Sequence, residues 1–437
     1  MNPIQLPDIK LSIGSFDLNV KENFALFVVK PLFLLFLYYS MFSRYSGFFG
    51  LTGGMTAALI SGVLFVLAAG HLLFLSDRIE ISRLALFITV FFILVALTPL
   101  ASSYVFDGRP AVALRYSIEV AIAFFIFFSF YYFLKSGIIT PKFLIYAFAY
   151  LGLLSALQLI TTIIGEVRIG RLRGLGALNY IANSFAVSGM AWIIIIYKDY
   201  VYETVNRWRV AGKFICFTLI FIVMLFTGTR GATVAFLVGI FFLQVLGMQS
   251  KRFTKYSLMG TLGLALALLI IALNIDISII WNRYSYEDLS YMVDKRLGIY
   301  LDSVIDLSFV EFLFGRPDLY TFEDGLLSDT RYINTHNVFL SLVRYNGLIP
   351  FFLFSLLLLI ILLKYGALYF AHRNDDYFRL TESTIIVFFV VVMILALISG
   401  GRSTRLFSMY IMIAYAVGYL ELVGRVGSMK EYKKMIM

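Results

Sequence analysis

Cysteine is almost absent from this chain: Cys216 is the only one in 437 residues. An intramolecular disulfide is therefore excluded, and so is a thiolate metal cluster. Histidine is nearly as scarce. His71, His336 and His372 fall in three different segments, so a histidine-built metal site is not expected, and nothing in the chain calls for a cofactor. Charge is thin as well, 14% of residues where a soluble domain carries about a quarter. Residues 84–103, 120–134 and 385–399 hold no charged side chain at all. Residues 1–23 lack a basic start, an apolar core and a small-residue cleavage site, so they do not read as a signal peptide. They read as a cytoplasmic or interfacial lead-in, weakly alternating over 9–20. No internal repeat or low-complexity tract is evident, and no pair of matching broken spans points to an inverted-repeat transporter.

What is abundant is apolar. The chain is 61% hydrophobic with a mean hydropathy of +0.89, and 17% aromatic, with 44 Phe and 28 Tyr. About 20 apolar residues cross a bilayer core. Twelve runs of that character can be read, at 24–42, 51–75, 84–103, 115–134, 143–164, 178–197, 214–226, 232–246, 258–281, 338–363, 385–399 and 406–423. Tyr38, Tyr39, Tyr131, Tyr132, Tyr197 and Tyr200 flank them, as interfacial belts do. The expected fold class is an all-α polytopic membrane protein of about twelve transmembrane helices. It divides into the lead-in at 1–23, nine spans within 24–281, a long loop at 282–337, three spans within 338–424 and a tail at 425–437. A loop longer than about 15 residues in a compact protein is usually functional or disordered. This one is rich in Tyr, Asp and Arg, includes an amphipathic stretch at 294–307, and is expected to be ordered.

The net charge of +10 follows the positive-inside rule rather than nucleic-acid binding, and no nucleic-acid partner is expected. Lysine marks one side: Lys10, Lys21, Lys135, Lys142, Lys198, Lys213, Lys251, Lys255, Lys364, Lys430, Lys433 and Lys434 all lie in the even-numbered gaps or the tails. That side, with both termini, is expected to be cytoplasmic. The odd-numbered gaps hold one lysine, Lys295, against twelve arginines. Orientation alone requires fewer positive charges outside, not a change of kind. Guanidinium grips phosphate or carboxylate through two parallel hydrogen bonds, whereas an ammonium is a point charge. The arginine-rich face therefore points to a phosphorylated or acidic ligand.

Six stretches on that face carry candidate residues. Arg168, Arg171 and Arg173, with the single Glu166, leave excess positive charge suited to a diphosphate, or form a solvated basic loop. Thr227-Gly228-Thr229-Arg230-Gly231 makes a very tight turn between two spans, in which glycine frees the backbone to approach a ligand; a hairpin with a snorkelling arginine is the plainer reading. Lys295-Arg296-Leu297 opens the amphipathic stretch of the long loop, and Gly315-Arg316-Pro317 closes it. His336 and Asn337 open the tenth span, where His336, Leu340 and Arg344 share one helical face. Arg344 would lie about 12 Å deeper than His336, and a buried span arginine faces a cavity or partner; the plainer reading of His336 is an interfacial cap. Arg402 and Arg405 lie between the last two spans. Arg115 and Glu119, four apart in the fourth span, are expected to neutralise each other.

With these residues in place, the chain resembles the bacterial O-antigen polymerase and O-antigen ligase superfamily (Wzy-type polymerases and WaaL-type ligases). The resemblance rests on Thr229-Arg230-Gly231-Ala232, on Lys295-Arg296-Leu297 followed by Phe314-Gly315, on His336-Asn337 with Gly347 beyond it, and on Arg173-Gly174 with Asn179. It covers roughly 168–350. Two positions depart from the ligase pattern: Pro350 stands where it has Gly, Thr or Tyr, and Val234 where it has Leu. The resemblance implies a GT-C-like, metal-independent glycosyltransferase of the bacterial inner membrane, acting on its periplasmic face. Its donor and acceptor would be undecaprenyl-diphosphate-linked glycans, with a chain-length regulator and a flippase as partners beside the lipid bilayer. It implies Arg230, Arg296 and Arg173 on the diphosphate, with Arg171, Arg316, Asn337, Arg344 and Arg402 as further substrate contacts. His336 would be either general base or cationic phosphate ligand, with Glu323 and Asp324 as other bases. The rival readings are a ligase acting on lipid A core and a transporter or flippase for an anionic glycan or metabolite. A transporter places its charges near the midplane, whereas these arginines gather at one edge.

Overall fold

A chain in hydrocarbon must satisfy its backbone hydrogen bonds within itself, and a helix does so residue by residue. The computed structural model describes residues 24–42, 53–74, 82–105, 110–165, 178–202, 207–226, 230–247, 298, 305, 307–315, 337–371, 376–398 and 407–425. All regular structure among them is helical. The elements are α1 (Ala25–Phe42), α2 (Gly53–Phe74), α3 (Arg83–Val105), α4 (Pro110–Lys135), α5 (Pro141–Gly165), α6 (Leu178–Tyr202), α7 (Arg207–Phe226) and α8 (Arg230–Gly247). Then follow α9 (Phe309–Phe314), α10 (Val338–Asn346), α11 (Leu348–Ala371), α12 (Asp376–Ile398) and α13 (Phe407–Arg425).

Seven of these, α1 to α5, α7 and α11, are long and apolar enough to cross a membrane, and α6, α8, α12 and α13 each contain a shorter apolar stretch. Each overlies an expected span. The ninth expected span, 258–281, the amphipathic stretch at 294–307 except Gly298, Ile305 and Leu307, and the pairing of the Arg115 side chain with Glu119 lie outside the described residues.

Local sequence explains several helix starts. Proline has no N–H to lose in a first turn, and Pro110 and Pro141 open α4 and α5. Ser82 and Thr140 accept hydrogen bonds from the N–H groups of Ala85 and Phe143, as N-caps do. Ser308 and Glu311 form a reciprocal capping box on α9. α1 is α-helical only over Lys30–Leu37, with π-wound turns at Ala25–Val29 and Tyr38–Phe42. The carbonyls of Met41 and Phe42 at its end accept the hydroxyls of Ser184 and Ser155. These are groups that a helix terminus leaves without intrahelical partners.

The helices pack around two central ones. α4 is surrounded by α2, α3 and α13, and α6 by α5, α7, α8 and α12. α1 lies against both groups: Phe33 meets Phe130 of α4 edge-on at 4.2 Å between centroids, and Met41 and Phe42 are held by α5 and α6 as above. Lipid is as apolar as leucine, so helices in a bilayer associate through close packing and small residues rather than through hydrophobic burial. Gly239 of α8 illustrates this: a methyl there would meet Val391 of α12 and Met190 of α6.

Side-chain contacts fix which helix ends coincide. Phe24 stacks on His71 near the end of α2, and His71 Nδ1 is 2.6 Å from Tyr132 Oη near the end of α4. Lys135, closing α4, pairs with Glu421 near the end of α13 at 3.0 Å. Tyr369 of α11 donates to the Leu246 carbonyl near the end of α8, and Tyr365 of α11 donates to the Ala416 carbonyl of α13 and stacks on Tyr419. The ends of α2, α4, α8, α11 and α13 therefore share one end of the bundle with the start of α1. The end of α3 and the starts of α4 and α8 lie at the other, where α9 and α10 dock.

Candidate functional site

The tenth span is not one helix. Expected to run unbroken over 338–363, it is divided into α10 and α11 by Gly347, whose φ of 85° is open to glycine and strained for other residues. Helix resumes at once, and Pro350 in the first turn of α11 sits where a missing N–H does no harm. Arg344 therefore belongs to a separate nine-residue helix and not to the membrane-crossing one.

Gly315 closes α9 as Gly347 closes α10, and the two turns lock into each other. Gly315 also has a positive φ, 82°. A methyl on it would fall 2.5 Å from the carbonyl of Tyr345 and 2.6 Å from the nitrogen of Asn346. One on Gly347 would strike the carbonyl of Leu313 and lie 2.7 Å from the carbonyl carbon of Phe314. Each glycine thus permits both its own turn and the approach of the other's backbone. Ser102 of α3 adds a tie, donating to the Gly315 carbonyl at 2.9 Å. Two stretches singled out from sequence, Phe314-Gly315 and Asn337 through Gly347, are in this way one packed unit.

The deep end of that unit is held by Asn346, which is wholly buried. Its amide nitrogen donates to the Val95 carbonyl at 2.9 Å and to Thr98 Oγ1 at 3.3 Å, and its amide oxygen accepts from Tyr116 Oη at 2.5 Å. The reason lies in α3. Pro99 sits inside that helix and has no N–H with which to bond the carbonyl four residues earlier. That carbonyl is Val95, and Asn346 supplies the donor that Pro99 cannot. Val95 and Thr98 lie ten and seven residues before the end of α3, so the Asn346 amide sits about 10–15 Å below that end.

At its other end α10 is capped by Asn337. The Asn337 Oδ1 accepts the N–H groups of Phe339 and Leu340 at 2.9 and 3.2 Å, so a residue expected to bind substrate spends that oxygen on the helix. Arg344 is buried, 4% exposed, near the deep end of α10. Arg230 is the first residue of α8, and α7 ends at Phe226, as the tight turn predicts. α12 packs against both α8 and α10. The start of α8 and α10 lie at the same end of the bundle with α12 against both helices, so their axes are at most about 20 Å apart.

His336, Arg296, Arg171, Arg173, Arg316 and Arg402 lie outside the described residues, as does the side chain of Arg230. Two of them are chain neighbours of fixed residues. Arg316 follows Gly315 and His336 precedes Asn337 in the sequence. Among the described residues no group of three or more His, Cys, Asp or Glu side chains is placed to hold a metal ion.

Sequence reasoning missed Asn346, Tyr116, Ser102 and Pro99. Two signals were present: a lone proline within an uncharged span, which must orphan a carbonyl, and an asparagine directly before Gly347 in an apolar segment.

The fold defines the class of protein, an all-helical multi-pass membrane protein. No protein-family model matches the chain, and no curated protein matches it.

Proposed function

We propose that this protein polymerises undecaprenyl-diphosphate-linked oligosaccharide repeat units, of O-antigen or exopolysaccharide, on the periplasmic face of the bacterial inner membrane. One observation carries the reading: the interlock of Gly315 with Gly347. Two parts of the sequence resemblance, Phe314-Gly315 and Asn337 through Gly347, with 21 residues between them, pack backbone to backbone at the end of the bundle where α8 begins with Arg230. In this reading both termini are cytoplasmic.

In the proposed reaction an acceptor hydroxyl oxygen bonds to the anomeric carbon of the donor glycan. The bond from that carbon to the lipid diphosphate breaks, and the diphosphate leaves with the electron pair. The hydroxyl proton passes to His336 or to an acidic residue such as Glu323 or Asp324. Charge develops on the departing diphosphate, and preorganised cations stabilise it without a metal. Arg230, Arg296 and Arg173 take that role, with Arg171, Arg316 and Arg402 around them. His336 acts as base or as a cationic phosphate ligand, since its unperturbed pKa lies near operating pH.

The test is Arg296→Lys in a strain lacking the native gene, read as long-chain glycan on a gel with protein level checked in membranes. A two-pronged contact is lost in lysine although the charge is kept, so polymer should fall by about tenfold or more, the loss expected for a charge-assisted bond of about 1.4 kcal/mol or more. Arg44→Lys, outside the motifs, should be nearly silent. Wild-type polymer from Arg296→Lys would remove the assignment.

A further inference from the structure

α9 is a six-residue helix from the long loop, and its outward face is apolar. Phe309 is 75% exposed, Phe314 49% and Val310 43%, and Ile305 just upstream is 71% exposed. Its one charged side chain, Glu311, is folded back onto the backbone N–H of Ser308 at 2.8 Å as part of the cap. Exposed aromatic and branched residues this close together are a patch that water disfavours, and such patches mark contact surfaces.

The position of α9 says what contacts it. It packs on α3, α10 and α11. Its last turn is tied to Ser102, three residues before the end of α3, about 4.5 Å below that end by helix rise. α11 starts deep in the bundle, just past Asn346, so the last part of the tenth span's path on this side is filled by α9 and α10. The flanking faces are those of membrane-crossing helices, with Ile93 and Leu97 exposed on α3 and Ile349 and Phe352 exposed on α11. α9 thus packs beside two membrane-crossing helices whose exposed side chains are apolar.

We propose that α9 is embedded in the leaflet at this end of the bundle, its Phe309, Val310 and Phe314 side chains covered by the acyl chains of bilayer lipid. Interfacial helices commonly bury an apolar face about 5–10 Å into the headgroup and acyl boundary, the depth set here by the Ser102 tie. The proposal does not rest on glycosyl transfer. It makes α9 a membrane anchor for the long loop beside the junction of Gly315 and Gly347.

The test uses the full chain with Cys216→Ser as background and single replacements Phe309→Cys, Val310→Cys and, on α11, Phe352→Cys. Each is labelled with bimane and reconstituted in phosphatidylcholine vesicles whose acyl chains are brominated near the headgroup. Bimane at 309 and 310 should lose emission to the brominated lipid at least as strongly as bimane at the deeper position 352, and aqueous iodide should leave it unchanged. Quenching by iodide and not by bromolipid would place the face in water and overturn the proposal. Protection from both would mean that another segment of this chain, a second copy or a retained polyprenyl lipid covers it, and would overturn it equally. Two labelled positions keep the test decisive if one variant fails to fold.

Discussion

At one end of the bundle Lys135 and Glu421 meet at 3.0 Å, and Tyr131 donates to the same carboxylate at 2.6 Å. At the other end Asn346 is held by Val95, Thr98 and Tyr116. The first tie joins two unbroken helices with full charges, and both side chains keep some exposure, 9% and 16%. The second joins a broken helix to a proline-bearing one with a neutral amide that keeps none. Ions withdrawn from water carry a desolvation cost that their attraction need not offset. A charged pair therefore suits a boundary, while an amide, whose donors and acceptor all find partners, suits the interior. The Asn346 end is also where helices stop, restart and change direction, which is what a site needs and a plain bundle does not.

The largest effect is expected from breaking the junction itself. Gly347→Val would force a branched residue into positive φ and into the Leu313 carbonyl, at a cost of about 3 kcal/mol or more. The purified protein should lose a single sharp peak in size-exclusion chromatography, whereas Gly366→Val, in α11 with open space around it, should keep it. The Lys135 end should respond less. Glu421→Leu strands the Lys135 ammonium and should cost about 1–3 kcal/mol, read as a lowered Tm in detergent. Joining it with Lys135→Met should restore stability to within about 1 kcal/mol of the parent, because no charge is left unmatched. The smallest effect is expected at α1: Ser184→Ala removes one hydroxyl from the Met41 carbonyl, worth about 0.6 kcal/mol as such bonds average in membrane proteins, a shift near the limit of a thermal melt.

The helices were legible because their signal is composition over twenty residues, which tolerates error at the edges. The helices run past the apolar cores into Trp208 and Arg209 or into Asp376, since backbone hydrogen bonding continues where hydropathy falls. The break at Gly347 was not legible. A single glycine in an apolar run is ordinarily tolerated, and only the approach of Leu313 and Phe314, thirty-odd residues away in sequence, shows why glycine is needed there. The partnership of Asn346 with the carbonyl orphaned by Pro99 is equally non-local. Gly315 and Gly347 were both marked as motif residues; that they serve each other's turns is information held by the fold. Asn337, expected at a ligand, also caps α10 through its side-chain oxygen.

The central claim is that Asn346 supplies the hydrogen bond that Pro99 denies α3, and so fixes the α9–α10 unit at the deep end of the candidate site. A double-mutant cycle tests it directly, by thermal unfolding of the purified protein. Asn346→Leu alone should destabilise by about 2–3 kcal/mol, the cost of leaving buried polar groups unsatisfied. Pro99→Ala restores an N–H four residues after Val95, so adding it to Asn346→Leu should recover about 1 kcal/mol. Such a recovery, absent when Pro99→Ala is made in the parent, is the predicted result. Strictly additive effects of the two changes would contradict it.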